Sequence, residues 1–409
     1  MTSPLAGSPR LPLEGVRILE LSSYVATPLC GLTLAQLGAD VIRIEAPGGA
    51  PDRTRLPTTN GGSSYYWTGL NKGKRAIAVD LSTPDGQEVV AGLAEDADVV
   101  IANAPYKGLV TAQALRERNP ALVHVRLSGT WSGASSVDYI AQAKVGFQQV
   151  TGPRGQSAPV NHVLPAWDIA AGLYLATGAL AALRQRDETG VGASITLALE
   201  DVALATAGNL GLLTQAQLDP VRRGADGNHV YGTYGRDFAL SDGHRIMLVV
   251  LTARHWHTLL EITGLRAAVV GLEEALQIDL DDEQVRYAYR EVISSLLEPW
   301  FARHDLDGLT EALAGHRVLW SAYQSFEEAA EDLVDNPLFA ELDQPGIGTH
   351  LAPGSPLVFD ARRPAPQPAP AVGEHTHEVL ADRLGQARFT TLLTSRVVDS
   401  ADTHLREIA

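Results

Sequence analysis

Residues 16–45 read VRILELSSYVATPLCGLTLAQLGADVIRIE. Val16 to Leu21 is an apolar run of strand length, Ala26 to Leu37 is helical and closed by Gly38, and Val41 to Ile44 is a second apolar strand. The alternation continues with a strand at Ala76 to Val79, a helix at Pro84 to Leu93 and a strand at Val99 to Ala102. A helix at Thr111 to Glu117 and a fifth strand at Leu122 to Leu127 follow. Strands that alternate with helices predict an α/β domain, its parallel sheet covered by helices on both faces.

Downstream, Asp168 to Arg186 reads DIAAGLYLATGALAALRQR, a long Ala-rich helix whose Gly172 and Gly178 permit close packing. Gly190 and Gly192 make a turn before a strand at Ser194 to Leu199 and a helix at Asp201 to Leu213. The pattern changes after Leu218. A polar linker, Arg222 to Gly227, leads to two strands within Phe238 to Leu251 around the turn Asp242-Gly243. Thr252 can cap a helix over Ala253 to Thr263, and further helices cover Asp281 to Glu298, Leu306 to Ala314 and Phe326 to Asp332. This block predicts a smaller α+β domain. A Pro-rich strap, Pro364 to Pro370, and a helix from Glu374 to Leu384 complete the chain. The expected boundaries are 1–218 for the large domain, 219–335 for the small domain with its linker, and 336–409 for the return.

The 32 basic and 48 acidic residues leave a charge of −16, which opposes non-specific nucleic-acid binding but not a local basic pocket. The single cysteine, Cys30, excludes an intrachain disulfide and a cysteine-based zinc site. Met1 to Pro12 lacks the apolar core of a signal peptide, and no run reaches the roughly 18 apolar residues of a membrane span. The expectation is a cytoplasmic protein with no membrane partner.

Motifs exclude several chemistries. The first strand is followed by Ser22 to Pro28, which has no glycine to admit a pyrophosphate, so a nicotinamide dehydrogenase is not indicated. No Walker sequence, HExxH or G-x-S-x-G elbow occurs. His255 with His257, and His375 with His377, are two apart on predicted helices and so point to different faces; no metal site is expected. Asn71-Lys72-Gly73-Lys74-Arg75 gathers three cations beside a glycine and reads either as a solvated loop or as a phosphate grip. Asp168 reads either as a helix N-cap or as a nucleophile presented beside the apolar wall of Trp167. Asn161 and His162, just upstream, are either loop residues or polar donors to a substrate carboxylate.

These stretches together resemble the class III coenzyme A-transferases. The resemblance rests on Pro12 to Arg17, Leu37 to Glu45, Asn71 to Arg75, Ala97 to Val100 with Asn103, Asp168 with its glycine-bearing helix, and Gly373-Glu374-His375-Thr376. Val160 to Ile169 and Tyr231 to Phe238 resemble a branch that moves CoA between the two carboxylates of one dicarboxylic acid. The resemblance implies an interlocked homodimer whose Rossmann-like large domain is built from both chain ends. It implies Asp168 as the nucleophile that forms an acyl anhydride, and coenzyme A as thioester substrate with no tightly bound cofactor. It implies CoA contacts from Val25, Ala26, Lys72, Lys74, Arg75, Asn103 and Lys107, and acyl-CoA and a dicarboxylic acid as binding partners. An ionised Asp168 would need hydrogen-bond donors around it. Where many members carry a CoA-binding arginine this chain has Ala46-Pro47, leaving Arg43 or Arg53 as substitutes, and Val25 replaces a glutamine of the formyl-CoA branch. An intermolecular transferase would use the same Asp168. A 2-methylacyl-CoA racemase would need a histidine near Val137-Asp138-Tyr139, where none occurs. A non-catalytic CoA-binding protein is the remaining alternative.

Overall fold

The computed structural model describes residues 10–220 and 222–402, so most of the Met1 to Pro12 segment read above for a signal lies outside the described residues. The chain forms two compact units. One comprises Met1–Val145, His162–Leu218 and Leu333–Ala409, the other Gly146–Asn161 and Asp219–Asp332. Residues 146–161, counted with the large domain in the sequence reading, group instead with the second unit.

The first unit begins with β1 (Arg17–Leu21), α1 (Ala26–Gln36), β2 (Asp40–Glu45), α2 (Tyr65–Asn71), β3 (Arg75–Val79), α3 (Pro84–Glu95) and β4 (Val99–Ala102). It continues with α4 (Ala112–Arg118), β5 (Val123–Ser128), α5 (Asp138–Lys144), α6 (Ala166–Thr189), β6 (Ser194–Ala198), α7 (Leu199–Asn209) and α8 (Leu212–Leu218). The expected helix from Asp201 to Leu213 is thus two helices, parted at Gly211, whose φ is +77°. The second unit holds β7 (Tyr234–Ala239), β8 (Arg245–Val250), α9 (Ala253–Thr263), α10 (Arg266–Leu276), α11 (Glu283–Ala288), α12 (Arg290–Phe301), α13 (Leu306–Leu313), β9 (Leu319–Ala322) and α14 (Phe326–Glu331). The return to the first unit brings β10 (Phe339–Gln344), β11 (Gly348–Pro353), α15 (Thr376–Leu384), α16 (Gln386–Thr394) and β12 (Val398–Asp399).

In the first unit the sheet order is β12-β3-β2-β1-β4-β5-β6. All neighbours are parallel except β12 on β3. Alternate side chains face opposite sides of a sheet. Leu19, Leu21, Ile42 and Ile44 enter one core with α3, α15 and α16. Ile18, Val41, Val99 and Ile101 enter another with α1 and α6. Both faces are buried, which is why these strands read as largely apolar runs, interrupted by the buried Glu20 and Arg43.

The C-terminal motif has a specific task. On this edge β12 reaches only Ala78 and Val79 of β3, so side chains also serve the N–H groups of Ala76 and Ala78. They donate to His375 Nδ1 at 3.2 Å and Thr376 Oγ1 at 3.0 Å. His375 is therefore a structural acceptor, and β12 completes the edge at Val79.

The helix α6 is long and apolar enough, by length and composition, to cross a membrane, contrary to the sequence reading. Here it packs on α1, and Gly172 makes that approach possible: a Cβ there would sit 2.6 Å from the Ala26 carbonyl oxygen. At its C-terminus Gly190 adopts φ +72° and donates to Arg186 O.

Beneath the first loops lies a buried ion network. Arg43, on β2, is fully buried and donates to Glu20, Glu45, Asp52, Ser22 and Asn71 at 3.1–3.2 Å. Lys74 donates to Glu20 at 3.0 Å, Asn71 at 2.9 Å and the Pro28 carbonyl at 2.8 Å. Arg53 forks onto Glu45 and covers the Trp67 ring at 3.7 Å. Burial drives the Lys74 ammonium down to about 8, against the upward pull of Glu20. Gly31 of α1 leaves the room, because a Cβ there would lie 1.6 Å from a Glu20 carboxylate oxygen.

The second unit has the antiparallel order β7-β8-β9 over a core that includes Tyr234, Phe238, Trp256, Trp300 and Phe301. Thr252 caps α9 as expected. The expected helix from Asp281 to Glu298 is broken at Tyr289 into α11 and α12, and α10 was not foreseen.

Arg43→Met should cost about 3–5 kcal/mol, because it strands three buried carboxylates without their shared cation. Urea denaturation checks this; a loss under about 1 kcal/mol would show the network to be dispensable.

Candidate active site

The connections reverse direction between β1 and β4, and in an open parallel sheet such a switch point opens a crevice at the C-terminal strand ends. A cavity of about 560 Å³ lies there. Its wall includes Ser23 to Ala26 after β1, Asn103 and Pro105 after β4, and the Ser/Gly-rich loop after β5. Arg55, Arg126, Asp138, Tyr139, Pro165 and Asp168 complete it.

Asp168 stands in the first turn of α6, whose N-cap position is Pro165. It is not the cap. That role falls to Asp138, the first residue of α5, whose Oδ2 accepts from the N–H groups of Trp167 at 2.8 Å and Asp168 at 3.1 Å. Gln142 donates to the other oxygen of Asp138 and accepts from the His162 backbone N–H at 3.1 Å. One buried carboxylate thus consumes the donors of the helix start and leaves the Asp168 carboxylate free to face the cavity.

The expectation that Asp168 is surrounded by donors is not met: among the described residues none donates to its carboxylate. Its pKa rises from 3.8 to about 7, chiefly by burial, then by the neighbouring charge of Asp138, with Arg55 pulling it down. A carboxylate in this state is poorly solvated, and so a better nucleophile toward a thioester carbonyl than one in water.

Arg55 lies over the rings of Tyr66 at 4.7 Å and Tyr24 at 5.6 Å. Tyr24 has φ +69°, uncommon for a bulky residue, and its N–H is held by Asp52 at 2.7 Å. Asp52 is held in turn by Arg43, so the buried network reaches the cavity wall through one carboxylate. Burial raises the Tyr66 phenol, with Asp168 adding to the rise and Arg55 opposing it.

The other expected residues divide. Val25, Ala26 and Asn103 line the cavity with Asp168, and Asn103 braces the first loop by donating to Ser23 O at 2.8 Å. Lys74 is fully buried on Glu20 and cannot reach a phosphate, which corrects that expectation. Arg75 is committed to Asp40 and Glu378, so the three cations do not converge on one ligand. Lys72 is buried on a separate small cavity beside Gly73 and Gln367, and Lys107 is exposed off the wall. Neither Arg43 nor Arg53 is available to replace the missing arginine, since both serve the network. Asn161 is exposed and belongs to the second unit; His162 contributes its backbone to the loop before α6 and no part of the cavity wall. Asp138, Arg55, Tyr66 and Arg126 were missed as site residues, having no local motif to mark them.

A half-buried carboxylate in a switch-point crevice, on this sheet, narrows the class, and the family model for CoA-transferase family III matches residues 13–376. The chain belongs to that family and is an enzyme that acts on CoA thioesters. It is 45% identical over 91% of its length, and 94% of the relative's, to a 2-methylfumaryl-CoA isomerase from Chloroflexus aurantiacus. It is 30% identical to a succinyl-CoA:mesaconate CoA-transferase from Haloarcula hispanica, covering 94% of this chain and 99% of that one. A CAIB/BAIF family protein from Brucella suis superposes with a TM-score of 0.75 at 26% identity, covering 91% of this chain and all of that one.

The raised Asp168 pKa has a sign that can be tested. Between pH 3.8 and about 7 the folded state holds a proton that the unfolded chain releases, so this group's contribution to stability falls as pH rises and stays unfavourable above 7. Asp168→Asn should therefore melt several degrees higher than the wild type at pH 8 and no higher at pH 3.5; calorimetry checks both. In the active enzyme, kcat/KM should lose its acid limb near pH 7, and Asp138→Asn should move that limb to lower pH while its amide oxygen keeps the cap.

Proposed function

We propose that this chain catalyses intramolecular CoA transfer between the two carboxylates of 2-methylfumarate, with Asp168 as nucleophile. The observation that carries the reading is the unpaired Asp168 carboxylate facing the crevice, its helix-start donors taken by Asp138. The 45% identical isomerase supports the substrate.

An Asp168 oxygen attacks the thioester carbonyl, the C–S bond breaks, and a mixed anhydride and CoA thiolate form. The thiolate attacks the Asp168 carboxyl carbon, which breaks the anhydride C–O bond and gives an aspartyl-CoA thioester and the free dianion. The dianion's other carboxylate then attacks that thioester and expels the thiolate. Attack of the thiolate on the substrate carbonyl of this second anhydride gives the isomeric thioester and restores Asp168. Each addition places charge on a carbonyl oxygen, so stabilising that oxyanion is a large share of the work. The covalent route divides one difficult exchange into four easier ones.

The proposal includes an interlocked homodimer, the mode of assembly the family resemblance implies. It is supported by apolar side chains left on the surface around the site: Val163 and Leu164 before α6, and Leu173 and Tyr174 on it, are all 48% or more exposed. The proposal also includes a cytoplasmic location, which the buried free thiol of Cys30 supports by suiting a reducing compartment.

Incubation with 2-methylfumaryl-CoA alone should yield its CoA positional isomer, resolved by chromatography. A strict need for a second acid would instead assign an intermolecular transferase. Hydroxylamine added during turnover should trap Asp168 as a hydroxamate, found by peptide mass, and Asp168→Ala should abolish both product and adduct while remaining folded.

A further inference from the structure

Arg55 has the attributes of a ligand-binding cation and no partner that explains it. Its backbone is fixed: the Arg55 N–H donates to Asp52 O at 3.2 Å, and its carbonyl accepts from Ser64 Oγ at 2.5 Å. Its guanidinium is held against Tyr24 and Tyr66. Tyr24 is tied by its N–H to Asp52, as Arg55 is, so the cation and one of its aromatic supports share an anchor in the Arg43 network. Among the described residues no carboxylate pairs with Arg55, although the chain carries 48 acidic residues. It lines the same cavity as Asp168 and is near enough to oppose the rise of its pKa, yet the two form no ion pair. The five donors of a guanidinium match a carboxylate in a planar fork, and stacking on rings holds that fork in one orientation. The space between Asp168 and Arg55 therefore has a nucleophile at one end and an unfilled carboxylate receptor at the other.

We propose that Arg55 holds the substrate carboxylate that does not carry CoA, and that it retains the free dianion in the cavity while CoA is on Asp168. This rests on the intramolecular reading, and it supplies what that reading needs. At the aspartyl-CoA stage the dicarboxylate has no covalent bond to the enzyme, and it must turn end for end before it leaves. A fixed cation outside ion-pairing distance of Asp168 can hold whichever carboxylate is waiting, and it favours the turn over escape. Arg126 is the other arginine on the wall; among the described residues no aromatic ring lies against it, and it serves as the control.

The decisive measurement is crossover. Wild-type enzyme turning over 2-methylfumaryl-CoA in the presence of carbon-13-labelled 2-methylfumarate should form little labelled thioester. Arg55→Met should raise the labelled fraction at least about 10-fold and lower kcat/KM for isomerisation about 100-fold, whereas exchange of labelled CoA into crotonyl-CoA, which has no second carboxylate, should change less than about 3-fold. Arg55→Lys should restore only part of the retention, because it keeps the charge and loses the fork. Equal losses on both thioesters, unchanged crossover in Arg55→Met, or a larger crossover in Arg126→Gln would overturn the assignment. A binding arm separates the two readings. Free fumarate should bind the wild type more tightly than crotonate by calorimetry, and Arg55→Met should erase the difference even if the wild type proves to be an intermolecular transferase. Preference for fumarate that survives in Arg55→Met would sink the proposal whatever the reaction is.

Discussion

Arg43 is the constraint on which the site depends. A guanidinium with no exposure in the second strand of a parallel sheet is tolerable only if nearly every donor finds an acceptor, and here three carboxylates, a hydroxyl and an amide oxygen supply them. Burial alone would lower its pKa; the combined field of Glu20, Glu45 and Asp52 reverses that and holds it above its ordinary value. Those partners come from β1, from β2 itself and from the turn after it, so the charges fix the relative positions of loops that apolar packing would leave free. Asp52 passes this order outward, to the Tyr24 backbone and to the base of Arg55. The network's contribution is geometrical more than energetic, since buried ion pairs add little net stability but penalise every alternative arrangement.

The site itself runs against stability. An ordinary helix start satisfies its first N–H groups with a local side chain. This one recruits Asp138 from 30 residues away and leaves the local carboxylate unmatched. Burial, with the charge of Asp138 added to it, raises the cost of ionising Asp168, and among the described residues no hydrogen bond offsets it. The fold thereby leaves the carboxylate proposed as nucleophile poorly solvated.

The central strands β1 to β4 were legible because each is buried on both faces and so reads as a largely apolar run. The elements that escaped are those whose signal is non-local. The strands β9, β10 and β11 are short and half-exposed, and β12 has two residues and exists only because β3 awaits it. Tyr289 ends α11 without any proline or glycine to announce it. The position of Asp168 at the start of α6 was legible in the sequence, whereas the part played by Asp138 was not, because it is written in a contact with α6. The basic run at Asn71 to Arg75 misled for the same reason. Lys74 meets Glu20, Arg75 meets Asp40, and both acids lie far from them in sequence. A cluster of like charges in one dimension became, in three, two separate sets of ion pairs and one buried lysine.

The antiparallel β12 strand also bears on how the chain is made. The edge of β3 is closed by Val398 and by the side chains of His375 and Thr376, which are synthesised more than 290 residues after it. At translation rates of about 5–20 residues per second, that edge stays open for on the order of half a minute. During this interval the second unit is made in full, while the first sheet exposes a row of unpaired amides of the kind that templates aggregation. The late-arriving histidine and threonine therefore act as a seal, and the nascent protein is most vulnerable just before its last two helices emerge.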